Sequence, residues 1–207
     1  MILVVGGAGY IGSQIVKELL DQSFEVLVLD NLSTGNRVAV DFRARFIEGN
    51  FEDRELLQEI FSEKSIDAVL HVASTSLVGE SPEHTIKNDQ TNVSAINTLL
   101  ETMVEFSVKK FILTINTTSD GIPNEEDLET KSSLTIEKVI EDFSNIHGMD
   151  YAILRSINND DTQTLLGYDY SIADGTCISI NIHDTNLVEA LRLSVEKMLE
   201  QDYLIYT

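Results

Sequence analysis

The chain has 207 residues, 43% apolar and 24% charged, a globular composition that excludes a collagen-like chain and wholesale disorder. That length suits one domain of ordinary size, burying roughly 70% of its unfolded surface without staples. Fourteen basic residues against 35 acidic ones leave a formal charge of −21, which repels nucleic-acid backbones and anionic membrane surfaces.

In chain order, Ile2–Val5 is a short apolar run stopped by glycines and reads as a buried strand. Ile11, Ile15, Val16, Leu19 and Leu20 recur at three- and four-residue spacing and predict a helix. Residues 25–30 (EVLVLD) predict the second strand and Arg45–Glu48 a short third. Leu56, Leu57, Ile60 and Phe61 mark a second helix, and residues 68–73 (AVLHVA) a fourth strand. A third helix follows from Val93, Ile96, Leu99, Leu100, Met103 and Val104, then a fifth strand at 110–114. Leu134, Ile136, Val139, Ile140 and Phe143 mark a fourth helix, before a sixth strand at 151–155. Residues 156–175 are polar and acidic. Beyond them a strand is predicted at 176–182, a helix at 187–199 and a short last strand at 204–205.

Strands alternating with helices at this spacing predict an α/β, Rossmann-like, doubly wound parallel sheet. The expected organisation is one domain over 1–207, with a core at 1–155 and a reduced C-terminal substrate region at 156–207. The apolar start lacks a basic leader, no apolar run nears the ~18 residues that span a bilayer, and Cys177 is the single cysteine. The expected location is therefore cytoplasmic, with no membrane and no nucleic-acid partner.

Gly7-Ala8-Gly9-Tyr10-Ile11-Gly12 follows the first strand and opens the first helix, a G-x-G-x-x-G pattern in its proper context. Gly7 is expected to allow a tight turn, Gly9 the approach of a pyrophosphate, and Gly12 close packing of helix on strand. Asp30 ends the second strand, where its carboxylate can accept from an adenosine ribose diol and disfavour a 2′-phosphate. The expected cofactor is NAD.

GGAGYIGS, VLDNLSTGN, HVASTSLVGES, the helix containing Asn92-Val93, and DGTCISINIHDTNL together resemble the UDP-glucose 4-epimerase family of the extended short-chain dehydrogenase/reductases. The resemblance runs in fragments over nearly the whole chain. It implies cofactor contacts at Gly6, Gly7, Gly9, Tyr10, Ile11 and Gly12 of the phosphate loop, and at Asp30, Asn31, Ser33 and Thr34 around the adenosine. It further implies contacts at Asn50 and Phe51 beside the adenine, at Val72, Ala73 and Ser74 along the cofactor, and at Asn92 near the nicotinamide half. Asn50 replaces a family aspartate, although an amide still bonds an adenine edge. Ser76 stands where the family usually has a lysine.

In this superfamily a tyrosine takes a proton from a sugar hydroxyl while hydride passes to NAD. A lysine four residues later, on the same helix face, lowers the tyrosine pKa. An unperturbed phenol titrates near pH ~10 and is a poor base at neutrality. No Tyr-x-x-x-Lys occurs in the sequence. Aligning 132–140 (SSLTIEKVI) with the family's catalytic helix places Glu129 at the tyrosine, Ser133 at the lysine and Asn116 at the Ser/Thr position. Glu129 is the one candidate substitute base, and a solvated acidic turn beside Glu125, Glu126 and Asp127 is the alternative reading.

The substrate side is also depleted, which counts against a nucleotide sugar. The family's Arg-Tyr-Phe-Asn is here Arg155-Ser156-Ile157-Asn158, and its Arg-Asp-Tyr is Ser179-Ile180-Asn181. His71, His84, His147 and His183 have no metal-ligand spacing, and no metal is expected. His71 reads as a packed or backbone-bonded strand residue. The helices around 93–104 and 134–143 match the pair through which the family forms homodimers. Thr98, Glu101, Glu105, Glu137 and Glu141 are expected to make their outer faces polar.

Together these features predict an NAD(H)-binding relative of the epimerases that has lost the family's catalysis. The alternatives are an active nucleotide-sugar epimerase or oxidoreductase with a substituted base, and a structural or regulatory subunit that binds no nucleotide.

Overall fold

The computed structural model describes residues 1–72, 82–117, 128–157 and 184–200. Six strands form one wholly parallel sheet: β1 (Ile2–Val5), β2 (Val26–Asp30), β3 (Arg45–Glu48), β4 (Ala68–His71), β5 (Lys110–Thr117) and β6 (Asp150–Ile157). Their spatial order is β3-β2-β1-β4-β5-β6. The winding therefore reverses between β1 and β4, which opens a crevice above the carboxyl ends of those two strands.

Helices α1 (Tyr10–Asp21), α2 (Arg54–Glu63), α3 (Pro82–Glu105), α4 (Leu128–His147) and α5 (Asp184–Glu200) cover both faces. Alternation along each strand divides the core in two. Leu3, Val5, Leu27, Leu29, Val69, Phe111 and Leu113 face α2, α3 and α4. Ile2, Val4, Val26, Val28, Leu70 and Ile112 face α1 and α5. β1, β2 and β4 are buried throughout, the mark of a sheet with helices on both sides. Asp53 caps α2 by accepting from the Glu55 and Leu56 N–H groups at 3.0 and 3.1 Å, which satisfies donors that a helix start leaves free.

The strand lengths are uneven. β4 pairs with β5 only as far as His71 opposite Leu113. The β5–β6 pairing continues to Thr117 opposite Ile157. Four residues of each of these two strands thus project past the end of β4 on the far side of the crevice.

The predicted elements recur with shifted ends. β5 reaches Thr117 rather than residue 114, and β6 spans Asp150–Ile157 rather than 151–155. β4 ends at His71, although Val72 still donates to the Val5 carbonyl at 2.9 Å. A one-turn 3-10 helix at Arg37–Ala39, capped by Asn36, has no counterpart among the predicted elements. The predicted helix at 187–199 is α5. The predicted strands at 176–182 and 204–205 lie outside the described residues. No described helix is long and apolar enough to cross a membrane.

Candidate cofactor site

The phosphate loop leaves β1 at Gly6, whose φ of 82° is left-handed and natural only to glycine. The tight turn runs from Gly6 to Gly9, whose N–H donates to the Gly6 carbonyl at 3.2 Å, and Gly7 is its second residue. Gly7 is also required for packing: a Cβ there would lie 2.7 Å from Val28 Cγ1 on β2. Gly12 packs more locally than the motif suggests. Its Cβ would lie 2.1 Å from the Gly6 carbonyl oxygen and 2.8 Å from Gly7 Cα, so α1 closes on the loop itself. Gly9 differs from both. A Cβ at Gly9 would meet nothing nearer than the Gly6 carbonyl oxygen at 3.4 Å, an ordinary contact.

Gly9 is also the N-cap of α1, and it offers no side chain to the first turn, which holds no acidic residue. Among the described residues no side chain caps the free N–H groups of the first turn. An uncrowded Gly9 and an uncapped helix start are what a phosphate group requires. Ile11 is half-buried, and the Tyr10 side chain is exposed.

Asp30 ends β2 and is only 8% exposed. Its Oδ2 accepts from the Ala8 N–H and its Oδ1 from the Leu32 N–H, both at 2.8 Å. The Ala8 carbonyl in turn accepts from the Asn36 N–H at 2.9 Å. Gly35 lies flat against Ala8, where a Cβ would come within 2.8 Å of the alanine Cβ. The loop after β2 and the phosphate loop are therefore one hydrogen-bonded unit. Leu32 sits at φ 58°, a left-handed conformation uncommon for a leucine, and the Asp30 carboxylate holds its N–H. Asn31 Oδ1 accepts from Ser33 N–H at 3.0 Å. Asn31, Ser33 and Thr34 are exposed along the same loop.

The loop after β3 borders this unit, since Gly49 N–H donates to the Asp30 carbonyl at 3.1 Å. Asn50 is half-buried, with Oδ1 accepting from Glu52 N–H at 3.3 Å. Phe51 is buried, and its ring meets that of His71 edge-to-face, centroids 4.9 Å apart. His71 ends β4 level with Val5 of β1. It is packed as expected, but neither ring nitrogen has a hydrogen-bond partner among the described residues. Burial pushes its pKa from 6.5 down to about 4, so the ring is neutral near pH 7. Val72 is buried beside it.

The structure thus gathers Gly6, Gly7, Gly9, Tyr10, Ile11, Gly12, Asp30, Asn31, Ser33, Thr34, Asn50, Phe51 and Val72 along the carboxyl ends of β1 to β4. Ala73 and Ser74 lie outside the described residues. Asn92 falls on α3, Glu129 on α4 and Asn116 on β5, with their side chains outside the described set. Sequence reasoning missed Ala8, Gly35 and Asn36. A glycine placed soon after the Asp30 strand was the available signal, because a close backbone approach there excludes a side chain.

On the outer helices Glu101 and Glu105 of α3 are exposed, as expected, and pair with Arg54 of α2 at 2.7 and 3.5 Å. Glu137 of α4 holds the Arg155 guanidinium through both carboxylate oxygens, at 2.9 and 2.5 Å. The bidentate match suits a planar guanidinium.

Comparison with known proteins bears on the same residues. The model of the NAD dependent epimerase/dehydratase family matches residues 2–159. The chain belongs to that family. Similar relatives include UDP-glucose 4-epimerases of Lacticaseibacillus casei, 38% identical over 168 residues (76% of this chain, 51% of that protein), and of Lactobacillus helveticus, 32% identical over 242 residues (96% and 73%). The chain therefore spans about half to three quarters of their length. The match to the L. helveticus protein extends over more positions than the 207 residues of this chain, so that relative carries residues inside the matched region that this family member lacks. A UDP-glucose 4-epimerase crystal structure superposes with a TM-score of 0.79 at 33% identity, over 96% of this chain and 73% of that one. The Brucella ovis UDP-glucose 4-epimerase in complex with NAD gives 0.77 at 30%, over 96% and 74%.

Proposed function

We propose that this family member binds NAD(H) at the carboxyl ends of β1, β2 and β3 and does not carry out the family's epimerisation. The observation that carries the reading is a contrast within one chain. The glycine loop, the uncapped start of α1 and Asp30 support a phosphate- and ribose-binding cradle, while no Tyr-x-x-x-Lys exists anywhere in the sequence. The relative from Brucella ovis was solved in complex with NAD, and that of Bifidobacterium longum with NAD+ and UDP.

On this reading the α1 N–H groups receive the pyrophosphate, and the remaining acceptor positions of Asp30 receive the adenosine ribose hydroxyls. NAD bound there would supply hydride transfer. No tyrosine in the sequence has a lysine four residues later to move the matching proton, and Glu129 and Ser133 occupy those aligned positions. The resemblance places Ser179 where the family has the arginine that meets the UDP phosphates.

Calorimetric titration with NAD and NADH, followed by UDP-glucose and UDP-galactose, tests this. The expected result is dinucleotide binding without interconversion of the sugars. Interconversion would overturn the loss of catalysis. Failure of NAD and NADH to bind would overturn the cofactor site.

A further inference from the structure

His71 is unexplained by the cradle described above. It lies on the face of the sheet that carries α2, α3 and α4, at the last residue of β4, and is 4% exposed. Its strand neighbours at that level are Val5 and Leu113, both apolar and both in the core. The ring against it is that of Phe51, sent across the sheet by the loop after β3. A neutral imidazole carries one N–H donor and one acceptor nitrogen, and here both are buried and neither meets a hydrogen-bond partner among the described residues. Leucine or phenylalanine would pack among these neighbours without stranding a polar atom. A buried orphan of this kind calls for an explanation, and a bound water, ion or ligand group is among those that would satisfy it.

Its position indicates which of these. His71 is paired with Val5, the residue immediately before Gly6, across the point where the winding of the sheet reverses. The Phe51–His71 pair therefore underlies the floor of the crevice, beside the turn that leads into the phosphate loop. We propose that the His71 imidazole is a dinucleotide-binding group, whose ring nitrogens become hydrogen-bonded, directly or through one ordered water, only when the crevice is filled. The group it meets is a phosphate oxygen, a ribose hydroxyl or a water bound to either, since these are the polar groups a dinucleotide lays along this edge. The inference rests on the NAD-binding reading above.

The sign of the effect separates this role from plain packing. A packing residue, when replaced, weakens the fold and the site together. A ligand-directed orphan, replaced by a hydrocarbon of similar size, leaves the free protein as stable or more stable and weakens binding. His71→Leu is thus expected to keep or raise the unfolding midpoint without ligand while weakening NAD about tenfold, equivalent to ~1.4 kcal/mol. His71→Gln, which restores a donor and an acceptor, is expected to recover part of that loss. On the unsubstituted chain, nitrogen-15 NMR of the imidazole should show ring shifts on NAD addition, and titration with AMP and with nicotinamide mononucleotide should show which half causes them. Imidazole signals unmoved by saturating NAD overturn the proposal even if His71→Leu does not fold. So does a His71→Leu protein that binds NAD within about twofold of the original. If the unsubstituted chain binds no NAD at all, the cofactor reading fails first and this inference falls with it.

Discussion

Asp30 shows how one side chain can serve a ligand and the protein together. Each of its oxygens already holds a backbone N–H, from Ala8 and from Leu32. Asp30→Ala should therefore do more than weaken NAD by ~1–3 kcal/mol. It should also lower the unfolding free energy by ~1–3 kcal/mol, because two N–H groups lose their acceptor. Asp30→Asn should restore little, since its amide nitrogen would confront one of those donors. Denaturant unfolding and calorimetry check the two losses separately, and unchanged stability would contradict the bracing role. His71 gives a pH signature. Its folded pKa lies near 4 against 6.5 for the free group, so the unfolded chain takes up this proton first as the pH falls. Stability should decline between about pH 6.5 and pH 4, by about 3 kcal/mol from this group. It should be insensitive to the group above that window. His71→Leu should flatten that part of the profile in pH-dependent denaturation, and an unaltered slope would count against the assignment.

At the scale of elements, the turn from β1 into α1 separates two kinds of glycine. Gly12→Ala places a methyl group 2.1 Å from the Gly6 carbonyl oxygen, and backbone cannot swing aside as a flexible side chain can. It should destabilise the fold markedly. Gly9→Ala places its methyl at ordinary contact distance, 3.4 Å from the Gly6 carbonyl oxygen, so stability should change by no more than about 0.5 kcal/mol. NAD affinity should nevertheless fall, because the methyl fills the approach to the phosphates. Thermal melts with matched titrations distinguish the two, and equal loss of stability in both would refute the distinction. These roles were only half legible beforehand. Spacing located the motif and the turn through Gly7, but not the left-handed residue, Gly6, because sequence shows no φ value. Buried strands were legible from their apolar runs. Their ends were not, as with β5, where Asn116 and Thr117 extend the pairing against the polarity pattern. Asp30 was legible as a ribose acceptor, whereas its bonds to Ala8 and Leu32 depend on how the chain returns. The orphan state of His71 was likewise hidden, because a histidine in a strand ordinarily finds a partner.

At the scale of the whole molecule, a charge of −21 opposes both compaction and the arrival of an anionic cofactor. Ion pairs such as Arg54 with Glu101 and Arg43 with Asp21 and Asp41 are exposed and local, so they offset little of the repulsion. Raising salt from about 0.01 M to about 0.1 M shortens the screening length from ~30 to ~10 Å. The melting midpoint should rise, on the order of the 2–4 °C that 1 kcal/mol produces in a chain this size. A midpoint that falls on adding sodium chloride would show that the local pairs outweigh the net field. The unequal strands have a different consequence. Past His71, β5 and β6 continue as a ribbon in which, among the described residues, each strand has the other as its sole sheet neighbour. A two-stranded ribbon is weakly stable by itself, so its amides open locally without the sheet. In deuterated solvent, the backbone hydrogens of 114–117 and 154–157 would then be replaced well before those of β1, even though they belong to the same sheet.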